Sequence, residues 1–244
     1  MPKELSIYKV KDSAESYYTH KDVIFDLPFR VLIIGKSQLS GKSNLILNIM
    51  LRPEYYGDDF KGENIYIVSP SVHNDDKLKK FIEVKDIPSE NIMTEFDEEV
   101  LKELYKMIQQ DYEEAVSENR KPENTLVIYD DISFNGDLKT KRGGIINKMF
   151  MNGRHILLST LITAQKYSDI STGARENATG LMVFDCSNKQ LELIETDHNC
   201  LDSKKEFYKL FRNITSIKHD FFVINYTNPK EHRYQDQEFN YLNY

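Results

Sequence analysis

Short apolar runs alternate along this chain with segments whose apolar residues recur at helical spacing. Residues 31–35 (VLIIG), 64–70 (NIYIVSP), 125–131 (TLVIYDD), 155–165 (HILLSTLITAQ) and 180–185 (GLMVFD) are rich in apolar and β-branched side chains. Such runs read as strands buried on both faces, each too short for a core helix. Helical spacing covers 42–51, 74–83, 97–119 and 138–152, with a shorter stretch at 171–177. Strand and helix in strict alternation predict an α/β fold with a central, mostly parallel sheet flanked by helices. HDFFVINYT (219–227) follows another helical stretch, 202–214, and is expected to add a C-terminal edge strand. Residues 1–27 read as a polar arm and 228–244 as a tyrosine-rich polar tail, which leaves 28–227 as the folded domain.

Two of the strand ends carry chemistry. The first runs into Gly35, Lys36, Ser37, Gln38, Leu39, Ser40, Gly41, Lys42, Ser43 and Asn44, where a helix begins near Lys42. This resembles a P-loop, in which backbone amides cradle nucleotide phosphates and the lysine neutralises them. A helix N-terminus there supplies unpaired N–H groups and partial positive charge. The spacing is irregular: five residues, Lys36 to Ser40, separate Gly35 from Gly41, where the usual pattern has about four. Lys36 therefore stands in the usual first-glycine position. A Gly-Lys-Ser at a surface turn also arises by chance, so a second motif is needed.

TLVIYDD supplies it, an apolar strand ending in paired carboxylates. It looks like a Walker B strand, with Asp130 sharing a Mg²⁺ ion with Ser43 and Asp131 orienting or deprotonating the attacking water. Acidic residues also start turns, but the two strand ends together point to ATP and Mg²⁺. In most P-loop sheets they lie on adjacent strands and converge at the carboxyl edge.

The rest of the composition limits the alternatives. With 244 residues and 40% hydrophobic content the chain suits one globular α/β domain with extensions. No apolar run approaches the roughly 20 residues that cross a bilayer, and no signal core follows the N-terminal charges, so a cytosolic protein without membrane contact is expected. Cys186 and Cys200 lack metal-ligand spacing and read as incidental thiols. A net charge of -7 argues against a uniformly basic nucleic-acid binder. A local basic stretch nevertheless follows the carboxylates: Lys139, Lys141, Arg142, Lys148 and Arg154 against Asp137, with Gly143-Gly144 in its midst. It reads either as a solvated helix face or as a DNA contact.

A third group of residues narrows the class. Gly153-Arg154-His155 precedes an apolar strand, Gln165 and Tyr167 follow it, and Arg175 and Asn177 precede the next strand. With the P-loop and VIYDD, these resemble the genome-packaging ATPases of large double-stranded DNA viruses and virophages, a branch of the FtsK-HerA superfamily. The resemblance spans roughly residues 28 to 227. It implies an ASCE-type P-loop NTPase that assembles as a pentameric or hexameric ring and drives double-stranded DNA into a capsid through its portal vertex. Such a protein works at the virus assembly site in the host cytoplasm, and transiently at the virion vertex. By the same resemblance Gln165 is the polar sensor of the γ-phosphate, and Arg154 or Arg175 is an arginine that completes a site, Arg154 in a neighbouring subunit. His155 reads as a strand-edge histidine, without a catalytic role. A nucleoside or nucleotide kinase and a non-hydrolysing adaptor protein of the same fold are the rival readings.

Overall fold

The computed structural model describes residues 12–37, 40–132 and 144–244. Its centre is an eight-stranded sheet in the order β3-β2-β4-β5-β1-β6-β7-β8. The strands are β1 (Arg30–Ile34), β2 (Ile65–Val68), β3 (Ile92–Met93), β4 (Thr125–Tyr129), β5 (Leu158–Ala164), β6 (Gly180–Phe184), β7 (Phe221–Asn225) and β8 (Tyr234–Gln235). From β3 across to β6 all pairings are parallel, and β7 and β8 pair antiparallel. The helices are α1 (Lys42–Leu51), α2 (Asp76–Lys85), α3 (Glu98–Ser117), α4 (Ile145–Asn152), α5 (Thr172–Glu176), α6 (Asn188–His198) and α7 (Lys204–Ile214).

Side chains alternate across the sheet, so each strand feeds two cores. Val31, Ile33, Leu126, Ile128, Leu161 and Met182 pack against Leu45, Ile46 and Ile49 of α1 and Phe81 of α2. On the other face Leu32, Ile34, Val127, Tyr129 and Ile162 pack against α3, α4, α6 and α7, with Leu104, Phe150, Ile194 and Phe211 among the contacts. Burial on both faces explains why β1, β4 and β5 read as continuous apolar runs.

Four features depart from the sequence expectations. The strands bearing the P-loop and the paired carboxylates are not neighbours, because β5 lies between them, paired to β4 on one side and β1 on the other. β5 itself starts at Leu158: Gly153–Ile156 form a 3-10 turn closed by Leu157 at φ 54°, which breaks the extended run. β7 is not an edge, since β8 from the tail pairs beyond it. Both terminal segments are polar in composition, yet both contribute to the core. Phe25 and Tyr234 are fully buried, and the Phe25 ring fills the space a Cβ on Gly180 would take, 2.1 Å away.

No helix among the described residues is long and apolar enough to cross a membrane.

Candidate active site

The carboxyl ends of β1, β5 and β4 lie side by side, with Ile34 opposite Ala164 and Tyr129 opposite Ile162. That register places the P-loop and Asp130-Asp131 around one open cleft of about 460 Å³, with Gln165 hydrogen-bonded to the Asp131 carboxylate. Gly41 sits at φ 92°, a left-handed conformation that side chains disfavour, and turns the chain into α1. Among the described residues no side chain caps α1. Its first N–H groups therefore face the cleft without an intrahelical acceptor.

Ser40 anchors the approach to Gly41. Ser40 donates to the Lys36 carbonyl through its N–H (3.3 Å) and its hydroxyl (2.8 Å), and the Ser40 carbonyl lies 3.2 Å from His219 Nδ1. Gly35 is the glycine the packing requires, because a Cβ there would lie 2.5 Å from Ser40 Cβ. Lys36 and Ser37 are exposed. Gln38 and Leu39 lie outside the described residues. Asn44 is exposed on the first turn of α1.

Lys42 is buried and donates to the Gly35 carbonyl at 2.7 Å. Burial lowers its pKa, with the charges of Asp131 and Asp130 acting in the opposite direction. Asp130 is buried at the end of β4, accepting from the Thr163 hydroxyl at 2.7 Å and the Ser69 hydroxyl at 3.0 Å. Burial raises its pKa despite those two donors, and the neighbouring Asp131 charge adds to the rise. Asp131, at φ 52°, accepts from Gln165 Nε2 at 3.0 Å. Its other oxygen, Oδ1, is buried with no hydrogen-bond partner among the described residues.

Ser43 donates to Asp75 Oδ2 at 2.6 Å, and Asp75 caps α2 through its other oxygen, which accepts from the Lys77 and Leu78 N–H groups. Asp75, Thr163 and Ser69 were not singled out in the sequence. The Asn-Asp-Asp before a helical segment does signal a cap, but nothing local ties Asp75 to Ser43, 32 residues away.

This cleft suits a magnesium triphosphate. Asp75, Asp76, Asp130 and Asp131 line it against Lys42 and Lys77, so a polyanion needs a cation to enter. A raised Asp130 and an orphaned Asp131 oxygen are what a cation with its water shell relieves. Among the described residues no group of three or more His, Cys, Asp or Glu side chains forms a metal cage. Mg²⁺ fits that pattern, since it commonly takes one or two protein ligands together with phosphates and water.

The two arginines separate. Arg175 pairs with Asp197 at 3.0 Å and lies over the Tyr167 ring, 4.9 Å from its centre, so among the described residues its polar contacts are to packing within the chain rather than to the cleft. Tyr167 donates to the same Asp197 oxygen at 2.8 Å. Its hydroxyl therefore accepts from His198 Nε2 at 2.7 Å, which leaves His198 Nδ1 to accept from the Tyr226 hydroxyl at 2.7 Å. Burial pushes His198 down to about 4.

Arg154 is exposed beyond the N-terminal end of β5, the far end from Gln165, and among the described residues it pairs with no carboxylate. His155 contacts Asp12. Lys148 is exposed, its ammonium 4.4 Å from the Tyr105 ring centre. Lys139, Lys141 and Arg142 lie outside the described residues.

Comparison with known proteins places this geometry. A family profile described as Poxvirus A32 protein matches residues 16–228. No curated protein matches in sequence. Among solved structures, the genome packaging NTPase B204 from Sulfolobus turreted icosahedral virus 2, bound to ATP-gammaS, is 15% identical, with a TM-score of 0.52 over 81% of this chain and 92% of that one. The DNA-packaging ATPase B204 from Sulfolobus turreted icosahedral virus is 17% identical, with a TM-score of 0.52 over 82% and 94%. ATPases 2 and 3 of EssC from Geobacillus thermodenitrificans are 13% identical, with a TM-score of 0.59 over 86% of this chain and 39% of theirs. These likenesses are of fold, and the fold is that of a P-loop NTPase.

Proposed function

The chain belongs to the Poxvirus A32 protein family, and from that membership and the cleft's geometry we propose that it is an ATP-hydrolysing motor that drives double-stranded viral DNA into a preformed capsid. One observation carries the reading. Three parallel strands end around a glycine-headed helix N-terminus and bring Lys42, Asp130 and Asp131 into a single cleft, with Gln165 hydrogen-bonded to Asp131. Two solved relatives of this fold are described as packaging enzymes, one of them bound to an ATP analogue.

Each residue has a place in that reading. The N–H groups opening α1 and the Lys42 ammonium bind the phosphates. Ser43 and Asp130 are the residues that would hold Mg²⁺, which when bound neutralises charge on the phosphate oxygens. Asp131 accepts a proton from the attacking water, so that hydroxide adds to phosphorus as the ADP oxygen leaves. Gln165, held on the same carboxylate, senses the change when the γ-phosphate departs. Arg154, exposed and remote from its own cleft, completes the site of the next subunit in a pentameric or hexameric ring. Arg175 acts through packing. Duplex DNA lies against the basic stretch after Asp131, Lys139, Lys141, Arg142 and Lys148. The ring works at the capsid or portal vertex in the host cytoplasm.

The test is ATP hydrolysis by protein of known oligomeric state, with and without linear duplex DNA, at two salt concentrations. Free phosphate release stimulated by DNA, more strongly at low salt, is expected. Lys42→Ala should abolish nucleotide binding, whereas Asp131→Asn should bind labelled ATP and not turn it over. Phosphate transfer to a nucleoside, or no hydrolysis at all, would overturn the proposal.

A further inference from the structure

A serine hydroxyl has one proton and two lone pairs. To give a lone pair to a cation it must direct its proton elsewhere, and the direction is set by whichever acceptor is fixed nearby. In P-loop sites the carboxylate at the end of the Asp-Asp strand is the obvious choice. Here that carboxylate is already engaged, with Asp130 Oδ1 held by Thr163 and Oδ2 by Ser69. The Ser43 proton goes instead to Asp75 Oδ2, 2.6 Å away.

Asp75 is itself rigidly placed. Its Oδ1 accepts from the Lys77 and Leu78 N–H groups at 2.9 and 3.3 Å, which fixes the plane of the carboxylate. It also lines the phosphate cleft together with Ser43, Asp130 and Asp131. One carboxylate thus performs two separable jobs, capping α2 with one oxygen and orienting Ser43 with the other.

We infer that Asp75 is a positioning residue for the magnesium nucleotide: it accepts the Ser43 hydrogen bond, so that the hydroxyl's lone pairs are left free for the cation before the nucleotide arrives. The inference rests on the nucleotide-binding reading above. It extends the ion-binding machinery to a third element, the N-terminus of α2, which packs against α1.

Asp75→Asn separates the two jobs. Asparagine caps a helix about as well as aspartate, but the amide that replaces Oδ2 donates and cannot accept from Ser43. The measurement is the affinity of a non-hydrolysable ATP analogue, titrated with Mg²⁺ and with the chelator EDTA in its place. Outer partners of metal ligands are worth about 10- to 100-fold in metal affinity, so the gain in affinity on adding Mg²⁺ should fall by about tenfold or more in Asp75→Asn. Affinity without Mg²⁺ should be unchanged or tighter, because a negative charge near the phosphates is removed. Ser43→Ala should lose a similar gain, and the double variant should lose no more than either alone.

A purely capping role would lower the melting temperature and leave the Mg²⁺-dependent gain as in the wild type, which would overturn the inference. So would additive losses in the double variant. Should Asp75→Asn fail to fold, Asp75→Ser keeps a capping oxygen on a shorter side chain that does not reach Ser43, and the same outcomes decide. If the wild-type chain binds no analogue, the nucleotide reading falls and this inference with it. If it binds with a Mg²⁺-dependent gain that Asp75→Asn shares in full, only the inference falls.

Discussion

Gly35→Ala adds one methyl group at the start of the P-loop and tests where this loop needs its first glycine. A Cβ on residue 35 would stand 2.5 Å from Ser40 Cβ, 2.7 Å from Ser40 Oγ and 2.9 Å from Phe184 Cδ2. Carbon atoms rest at about 3.5–4.0 Å, so something must move by about 1 Å. Phe184 ends β6 and packs on Phe221, with ring centres 5.3 Å apart. Ser40 is therefore the group that gives way, and its two bonds to the Lys36 carbonyl are what hold the loop's shape. Overpacking of this kind costs about 1–3 kcal/mol, or roughly 2–4 °C of melting temperature per kcal/mol at this chain length. Misplacing the phosphate amides by about 1 Å costs more in function, with turnover falling about 100-fold. Lys36→Ala, at the position where the usual motif has glycine, changes only an exposed side chain and should leave stability within about 0.5 kcal/mol. Thermal melting and ATP-analogue titration of both variants give the comparison. Wild-type melting and affinity in Gly35→Ala would refute the packing argument.

Two other outcomes are expected. His198 is held neutral in the fold at about 4 against an ordinary 6.5. Its contribution to stability is then complete above about 6.5 and is lost as pH falls through about 4, a difference of about 3 kcal/mol; melting curves between those limits should show a shallower pH dependence in His198→Gln, and an unchanged slope would exclude this residue as the cause. If the proposed ring forms, mixing Arg154→Ala with Asp131→Asn protein, each inactive alone, should restore ATP hydrolysis, because some interfaces join an intact Arg154 to an intact Asp131; no recovery in assemblies verified to contain both would remove the assignment across subunits.

Local chemistry made much of the site readable without the fold. Buried parallel strands announce themselves as β-branched runs because both faces are covered, and Gly-Lys-Ser at a strand-to-helix junction needs only its neighbours to form an anion-binding turn. Gln165 came from the family resemblance of the residues around it, since its place at the end of such a run suits a helix cap equally well. The same local signals could not order the sheet: β5 between β1 and β4 follows from which faces bury against which helices, and that insertion puts Thr163 on Asp130 and Gln165 on Asp131. They also could not tell that Arg175 would be taken by Asp197, that a polar tail would add β8 and bury Tyr234, or that Ser43 would find its acceptor on α2. Each of these pairs joins side chains far apart in the chain, and which of several chemically equivalent partners a polar group meets is decided by packing. The sequence by itself determined most of the strands and helices, the candidate phosphate loop and the identities of the acids; the tertiary structure decided which acid faces which hydroxyl, because hydrogen bonds are short-ranged and only the folded core sets those distances.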